Sequence, residues 1–189
     1  MEEWVERALQ RWPNVPALFG WLKLDRRGRW LIQDETISRL QIIDVINRNY
    51  DCDEHGRWYF QNGPQRGYMQ LERAPLLICV TENGTALQTH NQLRVAEVSQ
   101  AFMDEEGGLF LTTEHGPGAM LDSDLDWALA NMFEGDRLAD ERDIDAALAL
   151  RSGQMSELTL QIDMARLPIF RLDNANAPER LHFVRDPQP

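Results

Sequence analysis

Cysteine is scarce in this chain: Cys52 and Cys79 are the two among 189 residues. Two thiols in no paired spacing supply neither a disulfide framework nor a four-ligand zinc site. Long apolar runs are also missing. Stretches such as Leu76-Leu77-Ile78-Cys79-Val80 fall far short of the roughly 20 residues that a membrane span needs. The opening Met1-Glu2-Glu3-Trp4 is acidic and lacks the basic-then-apolar layout of a signal peptide. The expected setting is therefore a reducing cytoplasm, with both thiols free and buried. His55, His90, His115 and His182 show no ligand spacing, so no metal site is read. Lysine is nearly absent: Lys23 stands alone, and the other cations are arginines, whose planar forks suit bidentate anion contacts. There is no Gly-x-Ser-x-Gly elbow, Walker loop or Gly-x-Gly-x-x-Gly, hence no hydrolase or nucleotide signature and no cofactor.

What is present is ordinary globular material, with 43% hydrophobic and 26% charged residues, enough to bury a core without staples. The net charge of −12 is unevenly spread. Residues 1–75 hold eleven acids and eleven bases, whereas residues 103–145 hold thirteen acids against Arg137 and Arg142. Such density repels phosphate backbones and anionic lipid, which excludes nucleic acid and membrane surface as expected partners. It fits either a solubilising face or a dock for a basic protein. Within it, Asp122-Ser123-Asp124-Leu125-Asp126 superficially suggests a calcium loop. The sixth and twelfth positions are Trp127 and Phe133, where an EF-hand needs glycine and glutamate, so these acids read as a helix start.

The chain is organised by a repeat. Asp25-Arg26-Arg27-Gly28-Arg29-Trp30 returns as Asp53-Glu54-His55-Gly56-Arg57-Trp58, and more weakly as Glu105-Glu106-Gly107-Gly108-Leu109. Each copy predicts a polar turn, with glycine (Gly28, Gly56, Gly108) taking positive φ, before an alternating strand. Gly63-Pro64 and Gly116-Pro117 predict matched turns downstream, and Asn83-Gly84 another hairpin. Helices are expected from Glu2 to Arg11, on a Trp4, Val5, Ala8, Leu9, Trp12 stripe stopped by Pro13; from a Ser38-x-x-Gln41 capping box to about Asn47, burying Leu40, Ile43 and Ile46; from Asp122 or Ser123 to Phe133, burying Leu125, Ala128, Leu129 and Met132 and ended by Gly135; and over 143–151. Leu158–Ile162 and Leu181–Val184 read as strands. The fold class is thus α+β: twisted antiparallel sheets from repeated β-hairpin units with about four helices packed against them. The expected divisions are 1–22, a helix and proline linker; 23–91, the first hairpin half; and 92–189, the acidic half, with Asn91 near the boundary.

One constellation is a candidate site. Arg29 and Arg57 hold equivalent repeat positions, and Tyr59, Gln61, Arg66 and Tyr68 follow along the second hairpin. Together they offer a surface for a small anionic ligand; alternatively the arginines bridge to Asp25, Asp53 and Glu54. The expected function is a non-catalytic ligand-binding or protein-interaction module, with a signalling role included. The alternative is an enzyme with an unrecognised site, such as a hydrolase using Cys52 with His55 or paired acids.

Arg11-Trp12-Pro13-Asn14-Val15-Pro16, Asn47-Arg48-Asn49-Tyr50 and Trp58-Tyr59-Phe60-Gln61-Asn62-Gly63-Pro64-Gln65-Arg66 carry a resemblance. Over nearly its full length the chain resembles a family of small, mainly proteobacterial proteins known only as a domain of unknown function. This implies a bacterial cytoplasmic origin and no assigned activity. Its Asp-x-x-Gly-x-Trp, helix, hairpin and Ala74-Pro75-led strand are also similar in pattern to a second uncharacterised bacterial family, with repeated structural motifs and an inferred role in signalling through ligand binding. No functional residue carries over from it.

Overall fold

The computed structural model describes residues 3–11, 16–81 and 84–189. The chain forms two compact units: unit 1 is Met1–Pro75 with His182–Pro189, and unit 2 is Leu76–Leu181. The division falls at Pro75, whereas the sequence suggests Asn91. That asparagine is buried in a hairpin turn of unit 2, where its Oδ1 accepts the Thr89 hydroxyl at 2.6 Å.

Unit 1 begins with helix α1 (Glu3–Arg11), where the apolar stripe predicts it. Glu2, Trp12 and Pro13 lie outside the described residues. Strands β1 (Leu18–Leu24), β2 (Trp30–Ile32) and β3 (Glu35–Thr36) form a meander, α2 (Leu40–Arg48) follows, and β4 (Tyr50–Cys52), β5 (Trp58–Asn62) and β6 (Gln65–Leu71) form a second meander. The sheet order is β3-β2-β1-β6-β5-β4, and β1 pairs parallel with β6. Hairpins make antiparallel neighbours, but two meanders separated by a helix meet through strands of the same direction. The sheets are therefore mixed, and the α+β class with its hairpin units stands.

Unit 2 repeats this topology with additions. An arm of β7 (Leu76–Val80), β8 (Leu87–Thr89) and β9 (Arg94–Val95) precedes the meander β10 (Val98–Met103), β11 (Leu109–Thr113), β12 (Gly116–Met120). A 3₁₀ turn at Asp122–Asp124 leads into α3 (Leu125–Ala130), then β13 (Met132–Glu134), β14 (Arg137–Leu138), α4 (Glu141–Leu148), β15 (Met155–Ile162), β16 (Ala165–Arg171) and α5 (Ala177–Leu181). The order β14-β13-β15-β16-β10-β11-β12-β7-β8-β9 contains the unit 1 order, with parallel β10–β16 in place of β1–β6. The correspondence reaches single bonds. Glu72 N–H donates to the Leu24 carbonyl at 3.0 Å, and Leu172 N–H to Met103 at 2.9 Å. Gln61 N–H donates to Asn49 at 2.9 Å, and Gln161 N–H to Asn131 at 2.8 Å.

The turns follow from their aspartates. Asp53 Oδ1 accepts the N–H groups of His55 and Arg57, each at 3.0 Å, and Asp25 Oδ1 accepts those of Arg27 and Arg29 at 2.9 and 2.8 Å. The third copy is set on Asp104, which accepts Glu106 and Gly108 N–H at 2.9 and 2.8 Å. Its positive-φ glycine is Gly107 (φ 82), one residue before the expected Gly108. Gly56 (φ 74) is doubly constrained, because a Cβ there would lie 2.5 Å from the His182 carbonyl oxygen. The Gly-Pro pairs do not match: Gly63-Pro64 forms a turn, while Gly116-Pro117 lies inside β12. Of the Asn83-Gly84 pair, Asn83 lies outside the described residues, and β7 and β8 flank it as expected.

Helix boundaries differ where a side chain intervenes. The residue before α2 is Arg39, not the expected Ser38, and it makes no side-chain cap bond; Leu40 is 76% exposed while Ile46 is buried. Asn49 ends α2 by donating Nδ2–H to the Val45 carbonyl at 3.0 Å, and Asn131 ends α3 in the same way on Trp127 at 2.7 Å. The predicted helix to Phe133 thus stops at Ala130, Leu129 is exposed, and Met132 pairs as strand with Leu160. Asp140 and Asp143 build a full capping box for α4. Leu181 ends α5 rather than beginning a strand, and His182 at φ 58 turns the chain. Unit 2 has its own core, in which Met103, Leu109, Leu111, Leu160 and Ile169 are at most 1% exposed. Burial of each such side chain contributes about 1.5–3 kcal/mol.

Candidate functional site

The β5–β6 hairpin brings five of the six candidate residues together. Tyr59 pairs with Tyr68 across the hairpin, and Gln61 with Arg66. The tyrosine rings meet edge to face at 5.9 Å, and Phe19 stacks on Tyr68 at 4.7 Å. The Arg66 guanidinium lies 3.8 Å over the Tyr59 ring, and that of Arg57 lies 4.7 Å over Tyr68, placements favoured by the negative ring faces. Gln61 is buried and serves as a positioning residue. Its Nε2–H donates to the Gly63 carbonyl at 3.0 Å, and its Oε1 accepts Arg66 Nε–H at 3.2 Å. Arg29 is not brought into this cluster; it pairs with Asp25 at 2.6 Å on the β1–β2 turn.

The two repeat arginines bridge to the acids that open their own turns. Arg57 Nε–H donates to Asp53 Oδ2 at 2.8 Å, and the Tyr68 hydroxyl donates to the same oxygen at 3.0 Å. Burial works to raise the Asp53 pKa, but these donors and the backbone N–H groups outweigh it and hold the carboxyl below its ordinary value. Burial, then Asp51, raises the Tyr59 hydroxyl. For Arg66, burial pulls downward, and Tyr68, Tyr59 and the Asp53 carboxylate together more than offset it, so the cation persists.

Arg66 differs from its partners in one respect. Among the described residues no carboxylate forms an ion pair with it. Its unit 2 counterpart, Arg166, makes the same bond to Gln161 at 3.3 Å and lies over Phe133, but also reaches the Gly135 carbonyl at 2.7 Å and Asp136 at 3.3 Å. One frame thus holds a contact ion pair at the arginine of unit 2 and none, among the described residues, at that of unit 1.

Cys52 is poorly suited to nucleophilic work. Its thiol donates to the Asp53 carbonyl at 3.3 Å. Burial first, then Asp53 and Asp51, pushes its pKa up to about 11, where an activated thiol needs the opposite shift. His55 sits 3.5 Å from Glu54 rather than on the thiol. The acidic segment is largely engaged in structure. Asp104 clamps a turn, Glu114 accepts Ala96 N–H at 2.6 Å, Asp124 accepts Val80 N–H at 2.9 Å, and Asp143 pairs bidentately with Arg137. Among the described residues, no cluster of three or more His, Cys, Asp or Glu side chains could hold a metal, and no helix is long and apolar enough to cross a membrane.

Nothing in the sequence pattern points to a cavity of about 340 Å³ in unit 2, between the β8–β9 arm, α3 and the β15–β16 turn. Its lining comes from four separated segments, so no local motif could announce it.

Comparison with known proteins places these observations. The chain belongs to the family described as "Protein of unknown function (DUF2946)", which matches residues 1–188. That bears out the expected kinship with an uncharacterised family. Among solved structures, a DUF1285 family protein from Silicibacter pomeroyi DSS-3 is similar at TM-score 0.54 and 12% identity, over 86% of each chain. A DUF1285 family protein from Shewanella baltica OS155 aligns at TM-score 0.42 and 15% identity, over 55% of this chain and 85% of that one. The first shares the fold, and at 12% identity nothing more is carried across. No curated protein matches the chain.

Proposed function

We propose that the protein is a non-catalytic ligand-binding module, serving interaction or signalling in the cytoplasm, and that unit 1 takes a small anion at Arg66. The observation that carries this reading is the contrast between the paired copies. Arg166 has Asp136 at 3.3 Å, while Arg66 lies over the Tyr59 ring and bonds to Gln61 with no carboxylate in ion-pair contact among the described residues, Asp53 acting on it only through its field. A half-buried cation held by a ring and an amide is oriented without a contact ion pair, which suits a ligand carboxylate or phosphate. The free thiols Cys52 and Cys79 suit a reducing compartment, and a net charge of −12 disfavours nucleic acid as the ligand.

The test is thermal unfolding with acetate, succinate, citrate and inorganic phosphate as probes, at constant ionic strength. At least one probe should raise the Tm of the wild type and of Arg166→Gln, and leave Arg66→Gln unchanged. A wild type indifferent to all four, or an Arg66→Gln that responds equally, overturns the reading.

A further inference from the structure

The cavity of unit 2 occupies a place that has a counterpart in unit 1. There the β5–β6 turn residue Gly63 (φ 56) lies against α1: a Cβ at Gly63 would be 3.7 Å from Trp4 and 3.9 Å from Ala8. The neighbouring Asn49 and Gln61 are fully buried. In unit 2 the equivalent residues are Asp163, Asn131 and Gln161, and all three line the open cavity. The segment preceding the first strand of the repeat is a helix in unit 1 and the β8–β9 arm in unit 2. With the arm in place of a helix, about 340 Å³ is left unfilled, near the lower end of the roughly 300–1,000 Å³ typical of small-molecule sites.

The charges in this cavity are specific. Arg94 is the one cation and Asp163 the one anion among its described lining residues. Neither pairs with the other, nor with any further charged side chain among the described residues. Asp163 also holds φ 50, a left-handed conformation in a turn whose unit 1 equivalent is glycine. Asp tolerates that region better than most side chains, so the turn presents a carboxylate where glycine would leave only backbone. Val95, Ile162 and Trp127 line the same cavity and supply its apolar wall, and the Trp127 N–H is already spent on the Gly84 carbonyl at 2.8 Å.

We infer that this cavity binds a free hydrophobic α-amino acid, with its carboxylate on Arg94, its ammonium on Asp163 and its side chain on the Val95–Ile162–Trp127 wall. A simple anion would gain Arg94 but meet Asp163, and a simple cation the reverse. A zwitterion satisfies both, and small volume with an apolar wall selects a single residue over a peptide. This site is separate from Arg66 and does not depend on it.

The experiment is isothermal titration of the full chain with L-leucine, L-isoleucine, L-valine, L-phenylalanine and L-tryptophan, and with the N-acetyl and the amide form of each. At least one free amino acid should bind, and both blocked forms should be at least tenfold weaker, since each loses one charge contact. Arg94→Gln and Asp163→Asn should each weaken the free amino acid by tenfold or more. Both positions are on the surface of unit 2, and Asn tolerates positive φ, so circular dichroism should report an unchanged fold. Arg66→Gln should bind the amino acid as the wild type does, which separates this result from the fate of the Arg66 site. No binding by any of the five, equal binding of the blocked forms, or full binding by both variants overturns the inference.

Discussion

The Tyr68 hydroxyl donates to Asp53 Oδ2 at 3.0 Å, tying the far strand of a hairpin to the turn that precedes it by fifteen residues. The same oxygen accepts Arg57 Nε–H, while Oδ1 holds the turn backbone. Asp53→Asn should therefore destabilise the protein by about 2 kcal/mol at pH 7, the scale of hydrogen bonds to a charged group. The carboxyl sits below its ordinary value of 3.8 in the folded state. Its contribution is full above that value and is lost as pH falls through the lower folded pKa. Urea unfolding at pH 7 and near pH 2.5 should show the gap between wild type and variant narrowing in acid.

Two glycines with similar φ should respond differently. Gly107→Ala meets no atom within 4 Å and incurs only the left-handed conformation, about 1 kcal/mol. Gly56→Ala adds a Cβ 2.5 Å from a backbone oxygen that cannot swing aside, and should lose several kcal/mol, roughly 3 or more, to strain. Chemical denaturation of the pair decides this; equal losses would mean that the His182 backbone yields freely.

The two repeat tryptophans make a second contrasting pair. Trp30 Nε1–H donates to Asn47 Oδ1 at 2.8 Å, whereas the buried Trp58 Nε1–H has no partner among the described residues. Phenylalanine at 30 orphans the Asn47 oxygen; at 58 it removes an unpaired polar group. Trp30→Phe should be the more damaging by about 1–2 kcal/mol, read from urea midpoints at equal m-values.

A pKa near 11 leaves Cys52 almost wholly protonated at neutrality. Alkylation by iodoacetamide at pH 7.5 should be far slower than for a free thiol, and its rate should climb tenfold per pH unit until about pH 11. Peptide mapping separates Cys52 from Cys79, whose thiol is also raised by burial and then by Asp124. Fast labelling of Cys52 at pH 7.5 would revive the thiol-enzyme reading.

What the sequence disclosed was local. Asp-x-x-Gly-Arg-Trp spells out its own turn, because the aspartate, the left-handed glycine and the i,i+4 arginine all act within five residues. The third copy was misplaced by one position because Gly107 and Gly108 adjoin, and Glu105 resembles the aspartate that actually works, Asp104. Strand β16 was hidden by Pro168, which lies just outside the stretch Ile169–Arg171 paired with β10. The parallel joins were illegible for another reason: Leu24 meets Leu71, and Met103 meets Arg171, with nothing in either local pattern to mark the partner. Of the candidate site, the Arg57–Asp53 pair was readable, while Phe19 on Tyr68 and the seating of Arg66 on Tyr59 and Gln61 needed the fold.

The return of residues 182–189 to unit 1 imposes an order on synthesis. Val184 N–H bonds to the Gly56 carbonyl at 2.9 Å, the Arg185 carbonyl accepts Leu71 N–H at 2.7 Å, and Gln70 donates to Asp186 at 2.8 Å. The ribosome makes the whole of unit 2 between the two parts of unit 1. Unit 2 therefore has all its strands while unit 1 still waits, with the edge at Gly56 and Leu71 open, for the last segment to be translated. At roughly 5–20 residues per second that wait lasts several seconds, and a released chain truncated after Leu181 should be cut by protease within unit 1 while unit 2 resists.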